Sequence, residues 1–69
     1  MQISARNQLK GKIKDVKKGP VSAEVTLELA GGEILTAVIT ASAAERLALS
    51  SGKDAYAVIK ASSIMLGID

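Results

Sequence analysis

The sequence predicts an all-β protein: a five-stranded, OB-like Greek-key barrel with one short helix between strands three and four. Apolar and polar residues alternate with a period of two in most segments, which is typical of strands that bury one face. Glycine and proline interrupt these segments where turns are expected. After the third strand the spacing becomes helical, and three strands, a helix and two strands is the element order of a barrel of this type.

The first predicted strand covers about residues 2–16. Lys10, Lys12 and Lys14 recur at every second position and mark one face of it. Gly11 interrupts the pattern, and we expect a bulge or a sharp bend there. The sequence KKGP at residues 17–20 ends the strand, because glycine frees the backbone and proline lacks a hydrogen-bond donor.

The second and third strands are predicted at residues 21–29 and 34–40. The pair Gly31-Gly32 between them predicts a tight hairpin, because glycine readily takes the positive φ that such turns need. The third strand is apolar on both faces, so we expect one face to be covered by the barrel interior and the other by a second subunit. The residues of the two faces are Ile34 and Val38 on one side, and Leu35, Ala37 and Ile39 on the other.

The helix is predicted to begin at Ser42. Ser42 and Glu45 match a capping box, in which each side chain accepts a hydrogen bond from the other residue's backbone N–H. Ser50, Ser51 and Gly52 end this short helix. A fourth strand is predicted at residues 54–60 and a fifth at residues 64–68, separated by a break of small residues.

Length and composition predict one domain, residues 1–69, that associates with copies of itself. Hydrophobic residues make up 48% of the chain, yet Tyr56 is the only aromatic residue and there is no cysteine. A chain of this size builds only a small core, so its aliphatic surface is expected to be buried between subunits. Histidine is also absent, and the carboxylates fall in no acid–base or metal-binding spacing. We therefore expect neither an enzyme nor a directly bound metal cation.

The formal net charge is only +2, and the lysines near the N-terminus permit two interpretations. They could attract small anions or nucleic acid, or they could form the solvated face of a strand. Barrels of this type bind single-stranded nucleic acid by stacking bases on aromatic rings, and one tyrosine cannot supply that surface. We expect no nucleic-acid partner for this chain alone. No apolar run of about 20 residues and no signal-peptide pattern is present. The expected location is the cytoplasm, without a membrane partner.

The segment Ser4-Ala5-Arg6-Asn7-Gln8 is the strongest candidate for a binding site. It combines a hydroxyl, a guanidinium, two amides and small side chains that leave the backbone N–H groups accessible. This set of donors suits a tetrahedral anion, which accepts hydrogen bonds almost exclusively. The alternative is a polar strand that pairs with a sheet and binds nothing.

The segment Ile3–Gly11, ISARNQLKG, resembles the opening signature of the molbindins, the small Mop-type molybdate-binding proteins. The resemblance covers essentially the whole chain. It continues through Lys18-Gly19, Ala23-Glu24-Val25, Gly31-Gly32, Ile39-Thr40 and the segment YAVIKAS at residues 56–62. It implies a single molybdate-binding OB-like domain that assembles as a homo-hexamer, a trimer of dimers. It also implies that molybdate or tungstate binds at subunit interfaces, for storage inside the cell and without an organic cofactor.

The same resemblance implies the site residues. The main oxyanion site would consist of Ser4, Ala5, Arg6, Lys60, Ala61 and Ser62, with Thr40 from a neighbouring subunit. Ala43 stands where related sensor domains have a further hydroxyl residue. A possible second oxyanion site on a three-fold axis would involve Lys18, Gly19, Val21 and Ser22, which could equally be a plain turn. The alternative function is a protein-interaction or nucleic-acid-binding module on the same barrel, without oxyanion binding.

Overall fold

The computed structural model describes residues 1–69 and contains one curled antiparallel sheet, one α-helix and one 3₁₀ turn. The all-β class and the place of the helix after the third strand are confirmed. The sheet order is β3-β2-β1-β4. The elements are β1 (Asn7–Lys18), β2 (Ser22–Leu29), β3 (Ile34–Thr40), α1 (Ala41–Arg46), β4 (Asp54–Ile59) and the turn Ala61–Ser63.

The prediction of a fifth strand is wrong, because the sheet has four strands. Residues 64–69 follow the 3₁₀ turn without regular secondary structure. The alternation of Ile64, Leu66 and Ile68 suits a strand, but a strand also needs a hydrogen-bonded neighbour, and no strand of this chain pairs with the segment. The outer edges of β3 and β4 therefore stay unpaired.

Strand β1 is the centre of the sheet and pairs along both of its edges. It pairs with β2 from Gly11 to Lys18 and with β4 from Asn7 to Lys12, so Gly11 and Lys12 have partners on both sides. A Cβ atom on Gly11 would lie 2.6 Å from the carbonyl oxygen of Glu28 and 2.8 Å from the side chain of Leu27. Only glycine permits this approach of β1 to β2.

The bulge expected at Gly11 lies three residues further on. The register between β1 and β2 shifts between Ile13 and Asp15, and the extra residue is Lys14. The Lys14 carbonyl accepts a hydrogen bond from the Ser51 hydroxyl at 2.9 Å. Gly52 N–H donates to the Ile13 carbonyl at 2.8 Å, so the loop before β4 continues the hydrogen bonding along the β4 edge of β1 beyond Lys12.

The core is small. Ile13, Val25 and Leu27 form one buried cluster on the concave side of the sheet. Ala23 and Ala44 are also buried, which makes five buried residues out of 69. On β3 only one face packs towards the core, and Ile34 and Val38 on the other face are exposed in the single chain. The expected cover of that face by a second subunit stays a prediction. Most of the aliphatic surface of this chain therefore stays in contact with solvent.

The single α-helix has six residues. It is far shorter than the roughly 20 residues that cross a bilayer, and no helix of the structure could serve as a membrane span.

Candidate functional site

The pairing of β1 with β4 brings the two ends of the predicted main site together. The last residue pair of this ladder is Asn7 with Ile59. Residues 4–6 lead into β1 and residues 60–62 lead out of β4, so the two segments leave the sheet side by side. We call these two segments the terminal strip. Six of the seven residues predicted for the main site lie in it.

The amide side chains of Asn7 and Gln8 shape this strip from within. Asn7 Nδ2 donates to the carbonyl oxygen of Ile59 at 3.2 Å, which ties the start of β1 to the end of β4. Gln8 Nε2 donates to the carbonyl oxygen of Ala5 at 2.8 Å. The sequence suggested both amides as donors to an anion, but the structure uses them to position the backbone. The position of both amides next to Ser4, Ala5 and Arg6 indicates from sequence that they lie near the site. The sequence does not indicate which carbonyls accept their hydrogen bonds.

The strip is rich in free donors and carries two cations without partners. Side chains of Ser4, Arg6, Lys60 and Ser62 are exposed to solvent. The salt bridges of the chain join Lys12 to Asp54 and Lys14 to Glu28, so neither strip cation pairs with a carboxylate.

The backbone of the strip adds further donors. The N–H groups of Ser4, Ala5 and Arg6 donate to no carbonyl of the chain. The Lys60 and Ala61 carbonyls, by contrast, accept the two hydrogen bonds of the 3₁₀ turn, at 2.9 and 3.3 Å. The strip therefore offers donors and positive charge to a ligand, while its acceptors are partly occupied.

Thr40 is not part of this strip. It lies at the C-terminal end of β3, opposite Ser22 of β2, on the far edge of the sheet. Because β3 and β1 run in the same direction, this end of the sheet is also the end opposite to the strip. Eleven steps of β1 separate Asn7 from Lys18, a strand length of roughly 35 Å at about 3.3 Å per residue. One copy of the chain does not bring Thr40 to the strip.

Thr40 has a local role, which corrects the prediction of the helix cap. The helix begins at Ala41 and not at Ser42, and Thr40 is the N-cap residue. Thr40 Oγ1 accepts a hydrogen bond from Ala43 N–H at 3.0 Å. The capping box of Ser42 and Glu45 does not form, because the cap lies two residues earlier. Thr40 Oγ1 keeps its own proton, and either this hydroxyl or that of Ser42 could be the donor in the contact between them.

Position 43, where the family resemblance implies a further hydroxyl residue, is Ala43 in this chain and follows Ser42 directly. Ala43 supplies only its backbone N–H, as the donor to Thr40. Ser42 Oγ lies 3.4 Å from Thr40 Oγ1. A second hydroxyl therefore stands beside Thr40, one position before the expected one.

The four residues of the possible second site surround the same end of the sheet as Thr40. Gly19 N–H donates to the Ser22 carbonyl at 2.7 Å and closes the turn between β1 and β2. Ala41 N–H donates to the Val21 carbonyl at 2.8 Å, which ties this turn to the start of α1. Lys18 is exposed and forms no salt bridge. The turn is well ordered by its own hydrogen bonds, and Lys18 is its one charged side chain.

The lysines of β1 behave as a solvated strand face. Lys10, Lys12 and Lys14 are exposed on the convex side. Lys12 Nζ lies 3.4 Å from an Asp54 oxygen, and Lys14 Nζ lies 3.7 Å from a Glu28 oxygen. Of the two interpretations of these lysines, the geometry therefore favours the solvated face. No group of three or more carboxylate, thiol or imidazole side chains could hold a metal ion.

Comparison with known proteins places this geometry in a family. The model of the TOBE domain matches residues 3–66, which include every residue of the terminal strip. The chain belongs to the TOBE domain family. Its resemblance to the Mop-type proteins is confirmed by individual relatives as well as by this match.

One relative of the TOBE chain is the probable molybdenum-pterin-binding protein of Haemophilus influenzae. The two are 46% identical over 69 residues, the full length of both. MopII from Clostridium pasteurianum is 46% identical, and the structures superpose with a TM-score of 0.93 over 97% of this chain and all of MopII. The cytoplasmic molybdate-binding protein ModG, with molybdate bound, is 43% identical with a TM-score of 0.85. That match covers 96% of this chain and 53% of ModG.

The role of Thr40 as a helix cap predicts a specific effect on stability. Thr40→Val keeps the shape of the side chain but removes the acceptor for Ala43 N–H, so we expect the free energy of unfolding to fall by about 0.5–2 kcal/mol. Urea unfolding followed by circular dichroism measures this change. Ser42→Ala is the matched control and should change the stability by less than about 0.5 kcal/mol. A larger loss of unfolding free energy for Ser42→Ala than for Thr40→Val would mean that Ser42, and not Thr40, caps the helix.

Proposed function

We propose that this TOBE domain binds molybdate, and also tungstate, as an intact oxyanion at the interfaces of a homo-oligomer. The observation that carries the proposal is the terminal strip, where β1 and β4 place two unpaired cations beside free backbone N–H groups. Relatives that match most of this chain are named for molybdenum-pterin or molybdate binding. Residues of the main site are Ser4, Ala5, Arg6, Lys60, Ala61 and Ser62, with Thr40 of a second copy.

The chemistry of the strip fits this ligand. Molybdate near neutral pH is a tetrahedral dianion with four acceptor oxygens, so its site needs donors and positive charge and no nearby carboxylate. Arg6 and Lys60 offset the charge, and the hydroxyls of Ser4 and Ser62 fix the orientation. Ala5 and Ala61 lack bulk beyond Cβ, which lets the anion approach the backbone.

Completion of the site by a second copy follows from the position of Thr40. Thr40 lies at the opposite end and opposite edge of the sheet from the strip, so only another subunit can bring this hydroxyl to the anion. The small core supports the same assembly, because five buried residues leave a large aliphatic surface to cover. We propose a hexamer built as a trimer of dimers. Anion binding between subunits then stabilises the assembled form.

A second oxyanion site is proposed at the turn between β1 and β2. Lys18 supplies the charge there, and Gly19, Val21 and Ser22 supply the surrounding turn. This turn is tied to the residue after Thr40 by the hydrogen bond from Ala41 to Val21. A subunit that presents its strip to Thr40 therefore also approaches the second site, which would couple the two.

The ligand is proposed to be the inorganic anion and not a pterin-bound molybdenum. A pterin ring would be expected to stack on an aromatic side chain. Tyr56 is the only such residue, and it pairs with Lys10, four residues beyond Arg6 along β1. The proposal therefore includes no organic cofactor and no catalytic activity. Its biological role is molybdate storage and homeostasis in the cytoplasm, the location named for ModG.

The two cations of the strip should matter more than the lysines of the strand face. Arg6→Ala removes a hydrogen bond to a charged ligand, which is worth about 1.5–3 kcal/mol or roughly ten- to a hundredfold in affinity. Lys12→Ala is the control, because Lys12 already pairs with Asp54 and contributes only screened attraction. Calorimetric titration with molybdate measures both. Equal losses in the two variants would mean that diffuse charge, and not the strip, holds the anion.

The donor-rich site should also discriminate among anions. Phosphate near neutral pH keeps a proton that needs an acceptor, and an unpaired buried O–H costs about 1–3 kcal/mol, so phosphate should bind at least roughly tenfold more weakly than molybdate. Sulfate carries no proton but is smaller, so it cannot reach all donors of a rigid site at once and should also bind more weakly. Titrations with molybdate, tungstate, sulfate and phosphate at one ionic strength decide the point. Sulfate or phosphate affinity equal to that for molybdate would contradict the proposal.

A further inference from the structure

The two segments of the terminal strip are held in place in different ways. Residues 60–62 follow β4 and lead into the 3₁₀ turn, where the Lys60 and Ala61 carbonyls accept backbone hydrogen bonds. Residues 4–6 precede the first residue pair of β1, and their backbone groups take part in no hydrogen bond with another backbone group. Half of the proposed oxyanion site therefore lies outside the hydrogen bonding of the sheet.

One side chain holds this otherwise unsupported segment. Gln8 Nε2 donates to the Ala5 carbonyl oxygen at 2.8 Å, and this is the only hydrogen bond of the structure that involves residues 4–6. The backbone of Gln8 lies in β1, opposite Val58 of β4. The side chain therefore fastens a segment without regular secondary structure to the central strand of the sheet.

The same hydrogen bond sets the direction of a backbone donor. The Ala5 carbonyl and the Arg6 N–H belong to one planar trans peptide, in which the C=O and the N–H point in opposite directions. Because the carbonyl faces Gln8, the Arg6 N–H faces away from it, and this N–H has no acceptor in the chain. Gln8 thus occupies the acceptor of this peptide, which would repel an anion, and leaves the donor free.

We propose that Gln8 is a positioning residue of the oxyanion site, whose side chain holds the Ala5–Arg6 peptide so that the N–H, and not the carbonyl, faces the anion. This role rests on the proposed function, because it lies within the same site. Gln8 acts before the anion arrives and does not contact it. Residues 4–6 are then ordered in advance, so the entropy lost in ordering them does not reduce the affinity for the anion.

Two glutamines near the start of the chain provide a matched test. Gln8→Met keeps the length of the side chain and removes its donor. Gln2→Met makes the same exchange at an exposed residue whose side chain forms no hydrogen bond. Calorimetric titration should show molybdate binding roughly two- to tenfold more weakly to Gln8→Met than to Gln2→Met, the factor that one net hydrogen bond represents. Equal affinities would overturn the positioning role.

The amide signal of Arg6 separates positioning from a contribution to stability alone. In isotope-labelled protein, saturating molybdate should shift this nuclear magnetic resonance signal strongly in Gln2→Met, because the N–H then donates to the anion, and only weakly in Gln8→Met. Urea unfolding without anion should give equal midpoints for the two variants, since Gln8 is exposed. Equal shifts of the Arg6 signal would overturn the positioning role, as would a lower midpoint for Gln8→Met with unchanged affinity.

A second pair of variants covers misfolding or aggregation caused by an exposed methionine. Gln8→Ala removes the donor without adding apolar surface, and Gln2→Ala is its control. The same loss of molybdate affinity is expected for Gln8→Ala relative to Gln2→Ala. Equal affinities in this pair would overturn the positioning role as well.

Molybdate titration of the unsubstituted chain keeps the two proposals apart. If this chain binds molybdate and the variants at positions 8 and 2 bind it equally, the positioning role of Gln8 fails and the oxyanion function stands. If the unsubstituted chain binds no molybdate, the oxyanion function fails, and the role of Gln8 within that site fails with it.

Discussion

Hydrogen bonding along both edges of β1 is the constraint on which the rest of the structure depends. Gly11 makes it possible, because a side chain there would collide with the carbonyl of Glu28. Pairing with β2 on one edge builds the buried cluster, and pairing with β4 on the other aligns the two segments of the terminal strip. The fold and the candidate site are therefore two consequences of one strand, and the Asn7 amide secures the end of that strand at Ile59.

Incompleteness is the second property that the fold and the proposed function share. The single chain buries only five residues and leaves the outer edges of β3 and β4 unpaired. The aliphatic side chains of residues 64–68 are exposed as well. The donors of the strip lie at one end of the sheet, while the Thr40 hydroxyl lies at the other. Association of copies would bury the exposed aliphatic surface and would also bring Thr40 of one copy to the strip of another. Assembly and anion binding would then depend on the same contacts between subunits.

Elements with a strong local pattern could be predicted from the sequence, and those that depend on a distant partner could not. Strand β3 was predicted with its observed bounds, because alternation of side chains is a local property. Residues 64–68 have the same alternation but no strand in their own chain to pair with. The roles of Asn7 and Gln8 depend on which carbonyls come near them. Thr40 and Ser42 both suit a helix cap, and the choice between them depends on where β3 ends. The main-site residues came from family resemblance, and the register of β1 with β4 explains why six of them lie together.

Subunit complementation tests most directly whether two copies share one oxyanion site. Chains with Arg6→Ala and chains with Thr40→Val are each expected to bind molybdate weakly. Unfolding and refolding them together creates interfaces at which an intact strip of one variant meets an intact Thr40 of the other, in about a quarter of the sites of a random one-to-one mixture. Equilibrium dialysis should then recover about that fraction of wild-type molybdate binding. A mixture that binds no more molybdate than the average of the two separate variants would contradict a site built from two subunits.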